Sequence, residues 1–447
     1  MESVSTGILT LAGYLSSFIL SFTISRLFLA AFLIPLYLYK LTLRMIPDLL
    51  RNWTYLLNPS GWAHLTKSTD DYRSKSDTIA HSQLDGGYTF RPNDILHIKK
   101  DTPGWMDSAP FAADTHEFQV CGATARYIHL RASYSSVLQD GRRTHRPIVF
   151  LHGNPSWSYM WRNVFPSLLE RGHDVYAIDW LGHGRSDKIL DKQAISFELH
   201  VRTLRTFFEV TDASGCILAA HDWGGTIAMC TIPHLPAGTV ESLFLINTFF
   251  PSRFSDTSLH YRLLNRIWFC STGLLGGFLP EGMIHRYLSP HLSAEEIKNY
   301  TAPYSGLPRA SKASVLKFSH TAPSLPRVLL FKIRQTTPWK VLEGLLGPQH
   351  FDTLNTQARL SAQGDQVRRY WGSQREGDDT KVAVVFGDKD PLVKDYKTVL
   401  AQTIHPNRLA KWAPRGHWIR GTGHMPMEGK PGEVAGLIAR FARGEAK

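Results

Sequence analysis

The residues AHDWGG at 220–225 are the sharpest structural signal in the sequence. It follows an apolar run and opens a second, helix-length one, so it predicts a tight turn between a buried strand and a helix. Such a turn needs small residues around the side chain that projects from it, and Ala220, Gly224 and Gly225 supply them. The projecting residue is Asp222. This hexapeptide alone leaves two interpretations nearly even, an Asp that caps the helix and an Asp that acts as a nucleophile.

Three other motifs favour the nucleophile. HGNP at 152–155 follows an apolar run, where a loop N–H can help to build an oxyanion hole. VVFGDKDP at 384–391 is a strand that enters an acidic loop, and GHMPME at 423–428 lies further on. The chain order is therefore nucleophile, acid and base, which is the order of the α/β-hydrolase fold.

The predicted triad is Asp222, Asp390 and His424. Asp390 is preferred to Asp388 because it comes later in the loop, just before a proline, although Asp388 stays an alternative orienting acid. His424 is preferred to His417 because it lies in a Gly-His turn, and His417 is expected at the surface or behind the site.

The pattern of apolar runs predicts an α/β fold with a mostly parallel, eight-stranded sheet, since strand-like runs alternate with helix-length segments. The candidate strands are Thr115–Val120, Ala125–Ala132, Pro147–Leu151, Asp174–Ile178, Cys216–Ala220, Ser242–Ile246, Lys381–Phe386 and Arg408–Trp412. The predicted divisions are a membrane anchor (1–50), a connector with a few short helices (51–114), the first part of the core (115–250), a helical cap (251–380) and the second part of the core (381–447).

The bulk composition excludes some functions. The formal charge is +12 over 447 residues, but the basic residues are scattered, so we expect no nucleic-acid partner. The four cysteines form neither a CxxC motif nor a Cys/His cluster, so we expect no bound metal. The proposed chemistry needs no cofactor.

The N-terminal run from Ile8 to Tyr39 contains one charged residue, Arg26, and is long enough to cross a bilayer. It predicts an N-terminal membrane helix. Basic residues follow the run and do not precede it, so the positive-inside rule predicts a cytosolic catalytic domain. We expect a single-pass membrane protein of the endoplasmic-reticulum type. The sequons at Asn52 and Asn299 would favour the alternative, a lumenal domain, if they were glycosylated.

HGNPSWSYMWR at 152–162, DWLGHGRSDK at 179–188, HDWGG at 221–225 and GDKDP at 387–391 together resemble the haloalkane dehalogenases, over roughly residues 115–441. The resemblance implies that Asp222 attacks an sp³ carbon to form an alkyl-enzyme ester. His424, oriented by Asp390, then activates the water that hydrolyses the ester. The expected partners are a small apolar organic substrate and water.

Epoxide hydrolases of the same fold share this mechanism and are the alternative. Resemblance to dehalogenases implies that the side chains of Asn154 and Trp223 cradle a halide, while their backbone N–H groups hold the oxyanion. Epoxide hydrolases protonate the opening ring with cap tyrosines, for which Tyr287, Tyr300 and Tyr304, together with Tyr261, are candidates.

Two other classes of protein are alternatives to a hydrolase with an Asp nucleophile. An acyl esterase is disfavoured because no GxSxG motif is present. A membrane-tethered binding protein without catalysis would leave a complete triad without a purpose.

Overall fold

The computed structural model of the chain describes residues 23–98, 111–132, 145–250, 267, 270, 281–321, 332–374 and 377–444, without the side chains of residues 23–30 and 319–321. The described residues form the strands β1 (Ile95–Leu96), β2 (Thr115–Val120), β3 (Ala123–Leu130), β4 (Ile148–Leu151), β5 (Val175–Asp179), β6 (Lys188–Ile189), β7 (Cys216–His221), β8 (Val240–Ile246), β9 (Lys381–Gly387) and β10 (His417–Ile419).

The helices, in the same ranges, are α1 (Thr23–Asn52), α2 (Pro59–Asp85), α3 (Phe165–Leu169), α4 (Phe197–Val210), α5 (Trp223–Thr231), α6 (Glu281–Leu288), α7 (Ala294–Thr301), α8 (Ala313–Thr321), α9 (Thr337–Leu346), α10 (Asp352–Trp371), α11 (Tyr396–Thr403), α12 (Pro426–Gly429) and α13 (Pro431–Ala442). The helices α6 to α10 lie between β8 and β9, in the interval predicted to be a helical cap.

One eight-stranded sheet forms the centre of the molecule, in the order β10-β9-β8-β7-β4-β5-β3-β2. All neighbours in it are parallel except β2 with β3 and β3 with β5. The inner strands are continuously apolar because both faces of the sheet are covered, and β4 and β7 are buried along their whole length. The predicted α/β class and the mostly parallel eight-stranded sheet are confirmed.

The eighth strand is not the predicted one. The run Arg408–Trp412 makes only an isolated bridge between Leu409 and Val382, and β10 takes the edge position beside β9. The reason is local: Pro406 starts a 3-10 turn that includes Arg408, and the Ala413 N–H then bonds to the Ala410 carbonyl, so the run turns instead of extending.

The segment predicted as a connector with short helices contains the 27-residue helix α2. Asn58 caps its first turn by accepting a hydrogen bond from the Gly61 N–H, and Gly86 ends it in the left-handed conformation. The helix lacks a sustained apolar stripe because much of its contact with α9 is polar, as in the ion pair between Arg73 and Glu343 at 2.8 Å. The spacing of apolar residues therefore could not reveal this helix.

The predicted N-terminal membrane helix has no support in the described residues, where no helix combines the length and the apolar character needed to cross a bilayer. Residues 23–39 of the predicted span belong to α1, which continues to Asn52 and contains Pro35 and Pro47. Residues 8–22 lie outside the described part of the chain.

Candidate active site

The carboxyl ends of neighbouring strands meet at one edge of the sheet. There β7 ends directly before Asp222, β9 is followed by the loop with Asp390, and β10 precedes the turn with His424. The loop after β4 brings Asn154 to the same edge. In parallel α/β sheets, ligands bind outside this edge, so the four residues define a candidate site there.

Asp222 occupies a strained turn. Its φ of 51° and ψ of −126° lie outside the common backbone regions, and its side chain makes no capping hydrogen bond with α5. The turn fits because glycines surround it: a Cβ on Gly153 would lie 2.3 Å from the Asp222 Cβ, and one on Gly224 would lie 2.6 Å from the His152 carbonyl oxygen. The geometry is that of a nucleophile elbow, and the helix-cap interpretation fails.

The two oxygens of Asp222 have different surroundings. Oδ1 accepts a hydrogen bond from the backbone N–H of Asn154 at 3.0 Å. Oδ2 lies 3.6 Å from Nε2 of His424. The Asp222 residue is only 6% exposed, so solvent screens these contacts weakly.

His424 bridges the two carboxylates. Its Nδ1 lies 3.0 Å from Oδ2 of Asp390. Both oxygens of Asp390 are held by further donors, Oδ2 by the Asn247 side-chain amide at 2.6 Å and Oδ1 by the Leu392 and Val393 N–H groups. The acid, the base and the projecting Asp222 are thus brought together in the predicted order.

Burial and charge act against each other in these three groups. Burial would raise the pKa of Asp222, but the hydrogen bond and charge of His424 outweigh it and hold that pKa below the usual value. The pKa of Asp390 is lowered in the same way. Burial opposes the charged form of His424, but Asp390 and Asp222 outweigh it and raise the pKa to about 10. At neutral pH the site holds an imidazolium between two carboxylates.

The alternative acid and base lie elsewhere. Asp388 accepts a hydrogen bond from the Gly421 N–H at 2.7 Å and lies 3.7 Å from the Arg420 guanidinium. His417 lies on β10, half-buried, with its ring 5.6 Å from that of Trp412. Neither contacts the group formed by Asp222, His424 and Asp390.

The two predicted halide-binding side chains differ in their contacts. The Asn154 amide donates to the Val315 carbonyl at 3.2 Å, and its oxygen lies 3.1 Å from Nε2 of His183. One of its two N–H bonds is thus already used by the protein. The Trp223 indole is 6% exposed and packs against Phe249 with ring centroids 4.9 Å apart.

Two of the predicted cap tyrosines donate away from Asp222. The Tyr300 hydroxyl donates to the carboxylate of Glu428, which Arg162 also contacts, and the Tyr304 hydroxyl donates to the Gly182 carbonyl at 3.0 Å. A phenol has one hydrogen, so neither hydroxyl has a further proton for a substrate. Tyr287 is partly buried beside the core, and Tyr261 lies outside the described residues.

Sequence reasoning missed Asn247. This buried residue follows β8, has a φ of 41°, and binds Asp390 with its N–H while its Oδ1 accepts from the Gly387 N–H at 3.0 Å. A polar residue directly after a buried parallel strand was an available signal. Thr248, next along the chain, donates to the Asp222 carbonyl at 2.6 Å and was missed with it.

Replacing Asn247 with Ala is expected to lower the free energy of unfolding by about 1–3 kcal/mol, since it leaves a buried carboxylate oxygen and a buried N–H without a partner. Urea unfolding followed by circular dichroism measures this. Asn247→Gly is the matched control, because it removes the same bonds but tolerates the positive φ. Wild-type stability in both variants would show that these bonds contribute nothing.

A family model described as the alpha/beta hydrolase fold matches residues 146–270. A haloalkane dehalogenase from Psychrobacter cryohalolentis is 29% identical over 197 residues, which is 44% of this chain and 62% of that protein. Haloalkane dehalogenase 1 from Mycobacterium tuberculosis is 31% identical over 181 residues, 40% of this chain and 58% of that protein. The chain therefore spans about three fifths of the length of these curated relatives.

Solved structures agree on the fold. A tetrameric haloalkane dehalogenase from Paraglaciecola agarilytica NO2 superimposes with a TM-score of 0.57 and 19% identity, covering 77% of this chain and 97% of that one. One from Bradyrhizobium elkani gives 0.53 and 20%, covering 74% and 99%.

The sheet order, the strained turn at Asp222 and these comparisons define a protein of the α/β-hydrolase fold. Within that fold, the chain is similar in sequence to haloalkane dehalogenases.

Proposed function

We propose that the protein is a hydrolase that uses Asp222 to form an alkyl-enzyme ester and then hydrolyses it, as in a haloalkane dehalogenase. The main observation in support of this proposal is that Nε2 of His424 lies 3.6 Å from Oδ2 of Asp222. The opposite ring nitrogen, Nδ1, lies 3.0 Å from Oδ2 of Asp390. The similarity to haloalkane dehalogenases supports the proposal.

In the first step, Oδ2 of Asp222 attacks the carbon that bears the leaving group. The new bond is O–C, the C–halogen bond breaks, and its electron pair leaves with the halide. No base is needed because the lowered pKa keeps Asp222 ionised at neutral pH. Oδ1 stays on the Asn154 N–H and becomes the carbonyl oxygen of the ester.

In the second step, water attacks the ester carbonyl and His424 accepts a proton from it. Negative charge then develops on Oδ1, where the Asn154 N–H stabilises it and the Trp223 N–H is the proposed second donor. Collapse of this intermediate breaks the bond between the carbonyl carbon and the alkyl oxygen. The leaving oxygen takes the proton from the His424 imidazolium and departs as the alcohol, and the new carboxylic acid passes its proton to His424, which restores the carboxylate.

Esterification also prepares His424 for the second step. The resting imidazolium is stabilised by two carboxylates, and the ester removes the charge of one of them. The pKa of His424 therefore falls from about 10, the ring loses its proton to solvent, and the neutral imidazole can then accept a proton from water.

For the leaving group, we favour halide over an epoxide oxygen. Ring opening of an epoxide needs a proton donor in the cap. Of the four candidate tyrosines, Tyr300 and Tyr304 both donate to protein acceptors, which leaves Tyr287 and Tyr261. Halide needs only neutral N–H donors, and the Trp223 indole lies directly beside Asp222 in the chain.

The test offers a brominated alkane and a terminal aryl epoxide to the full chain and to its His424→Phe form, in which the ester should persist. Bromide release with an alkyl mass on Asp222 supports the proposal, and diol formation with a hydroxyalkyl mass identifies the epoxide alternative. Absence of any adduct from both substrates contradicts the Asp222 mechanism.

The two steps are expected to depend differently on pH. The rate of ester formation at about pH 5 should equal that at pH 8, because the pKa of Asp222 lies below its ordinary value and the carboxylate is ionised at both. Hydrolysis should be at least about tenfold slower at pH 5, because His424 is then protonated in the ester as well. Rapid quench with mass spectrometry separates the two rates, and equal hydrolysis rates would contradict the role of His424.

The membrane span over residues 8–39 and the cytosolic placement of the catalytic domain stay predictions. Expression of the full chain with a protease-accessible tag at either end, followed by digestion of intact microsomes, tests both.

A further inference from the structure

The exposed apolar side chains of the described residues are concentrated in one place. They lie along α1 from Phe32 onward, in the 3-10 turn Trp53–Leu57 and at the start of α2, which together we call the arm surface. Its exposed members are Phe32, Leu36, Leu38, Tyr39, Leu43, Ile46, Leu50, Trp53, Tyr55, Leu56, Leu57 and Trp62. A contiguous set of this size marks a surface that meets another apolar phase.

The charge of the arm surface is net positive. Between residues 32 and 62 the basic residues are Lys40, Arg44 and Arg51, and the one acid is Asp48. Asp48 is already bonded, at 3.2 Å from Arg51 and 3.1 Å from His350. Cations among exposed apolar groups are complementary to the anionic headgroups of a bilayer.

The aromatic residues point to the same partner. Trp53 is 50% and Trp62 47% exposed, with the exposed tyrosines Tyr39 and Tyr55 nearby. Such rings are enriched where one end of a side chain is apolar and the other is wet, as at the boundary between lipid tails and headgroups.

The arm surface is attached to the cap. The Asn52 amide donates to the Gly344 carbonyl at 3.2 Å, and Leu65 packs against Val341 and Leu345. A Cβ on Gly344 would lie 2.3 Å from the Leu65 carbonyl oxygen, so the backbones of α2 and α9 touch. Whatever binds the arm surface thus lies next to the cap that covers the candidate site.

We propose that the arm surface binds the surface of an anionic lipid bilayer, with its apolar side chains inserted to the depth of the headgroups and its cations on the phosphates. This mode of binding is monotopic and is the alternative to the predicted membrane span, with which it shares residues 32–39; digestion of intact microsomes, described above, separates the two. It goes beyond the proposed hydrolase chemistry and does not depend on it, because binding is measured without substrate.

The test is sedimentation of the full chain with vesicles of phosphatidylcholine alone or with about 30% phosphatidylserine. We expect binding to the mixed vesicles that exceeds binding to neutral ones and weakens as salt rises to about 0.5 M. The triple variant Leu50→Ser/Trp53→Ser/Leu57→Ser should bind the mixed vesicles at least about tenfold more weakly, because these three side chains are 67%, 50% and 69% exposed. Val210→Ser/Met283→Ser, which removes exposed apolar groups elsewhere, should bind like the wild type.

Quenching of tryptophan fluorescence by brominated lipid gives a second, independent readout. The wild type should be quenched on mixed vesicles, and Trp53→Phe/Trp62→Phe should lose most of that quenching. Three results overturn the proposal: no preference of the wild type for anionic vesicles, undiminished binding of the triple variant, or a wild-type dimer that the triple variant abolishes. The second would assign binding to another segment such as residues 1–22, and the third would assign the surface to a second copy of the chain.

Discussion

Replacing Asp222 with Asn is expected to lower turnover by about 10⁴-fold or more, because a neutral amide oxygen is a poor nucleophile toward an sp³ carbon. The change is nearly isosteric, and the side-chain oxygen can still accept from the Asn154 N–H at the position of Oδ1. The loss should therefore come from chemistry and not from folding. Initial rates of halide release and the mass of the protein after exposure to substrate measure it.

Asp388→Asn is the matched control. It makes the same change in the same kind of side chain, but Asp388 binds the Gly421 N–H and is outside the triad. Its activity should stay within about twofold of the wild type, as expected for a position away from the reacting atoms. If Asp222→Asn kept turnover and Asp388→Asn lost it, the assignment of Asp222 as the nucleophile would be wrong.

Replacing His424 is expected to trap the ester. The first step needs no base, so His424→Gln should release about one equivalent of halide and then slow by about 10³-fold, since a general base is worth 10²–10⁴-fold. The adduct should be found on Asp222 by peptide mapping. Steady halide release without a burst or an adduct would mean that water attacks the substrate directly.

A second variant guards against a folding artefact at this buried position. His424→Phe lacks any side-chain hydrogen bond to Asp390, whereas Gln can retain one. The His424 backbone carbonyl, which lies 2.8 Å from Nε2 of His221, is kept in both. Equal trapping in the two variants would assign the effect to the missing base and not to the altered packing.

Much of the core followed from local pattern. The strand Thr115–Val120 was predicted with the observed bounds, and six others were predicted within two residues, because buried parallel strands are continuous apolar runs bounded by Gly, Asn or Asp. The failures have physical causes. β10 is a three-residue strand whose first two residues are only half-buried, so its pattern is weak, and α2 is held largely by polar contacts that leave no apolar stripe.

The candidate site likewise contains residues that local sequence predicts and residues that it does not. Asp222 could be predicted because the elbow is a local structure whose small residues are adjacent in sequence. Asn247 could not be chosen with comparable ease, because its partner Asp390 lies 143 residues away and the two meet only where β8 and β9 pair. The choice between Asp390 and Asp388 rested on their order in the loop, and the contact with His424 now supports the first.

The fold class, the elbow and the residues of the proposed triad could be predicted from the sequence, because these depend on short patterns of apolarity, small residues and reactive side chains. The hydrogen bonds that those side chains make depend on contacts between distant parts of the chain. Tyr300 and Tyr304 have the right chemistry and the right segment, but their hydroxyls donate to Glu428 and Gly182. A phenol has one hydrogen to donate. Its acceptor can be a residue far away in the chain, which comes within reach only after the sheet and the cap have folded together.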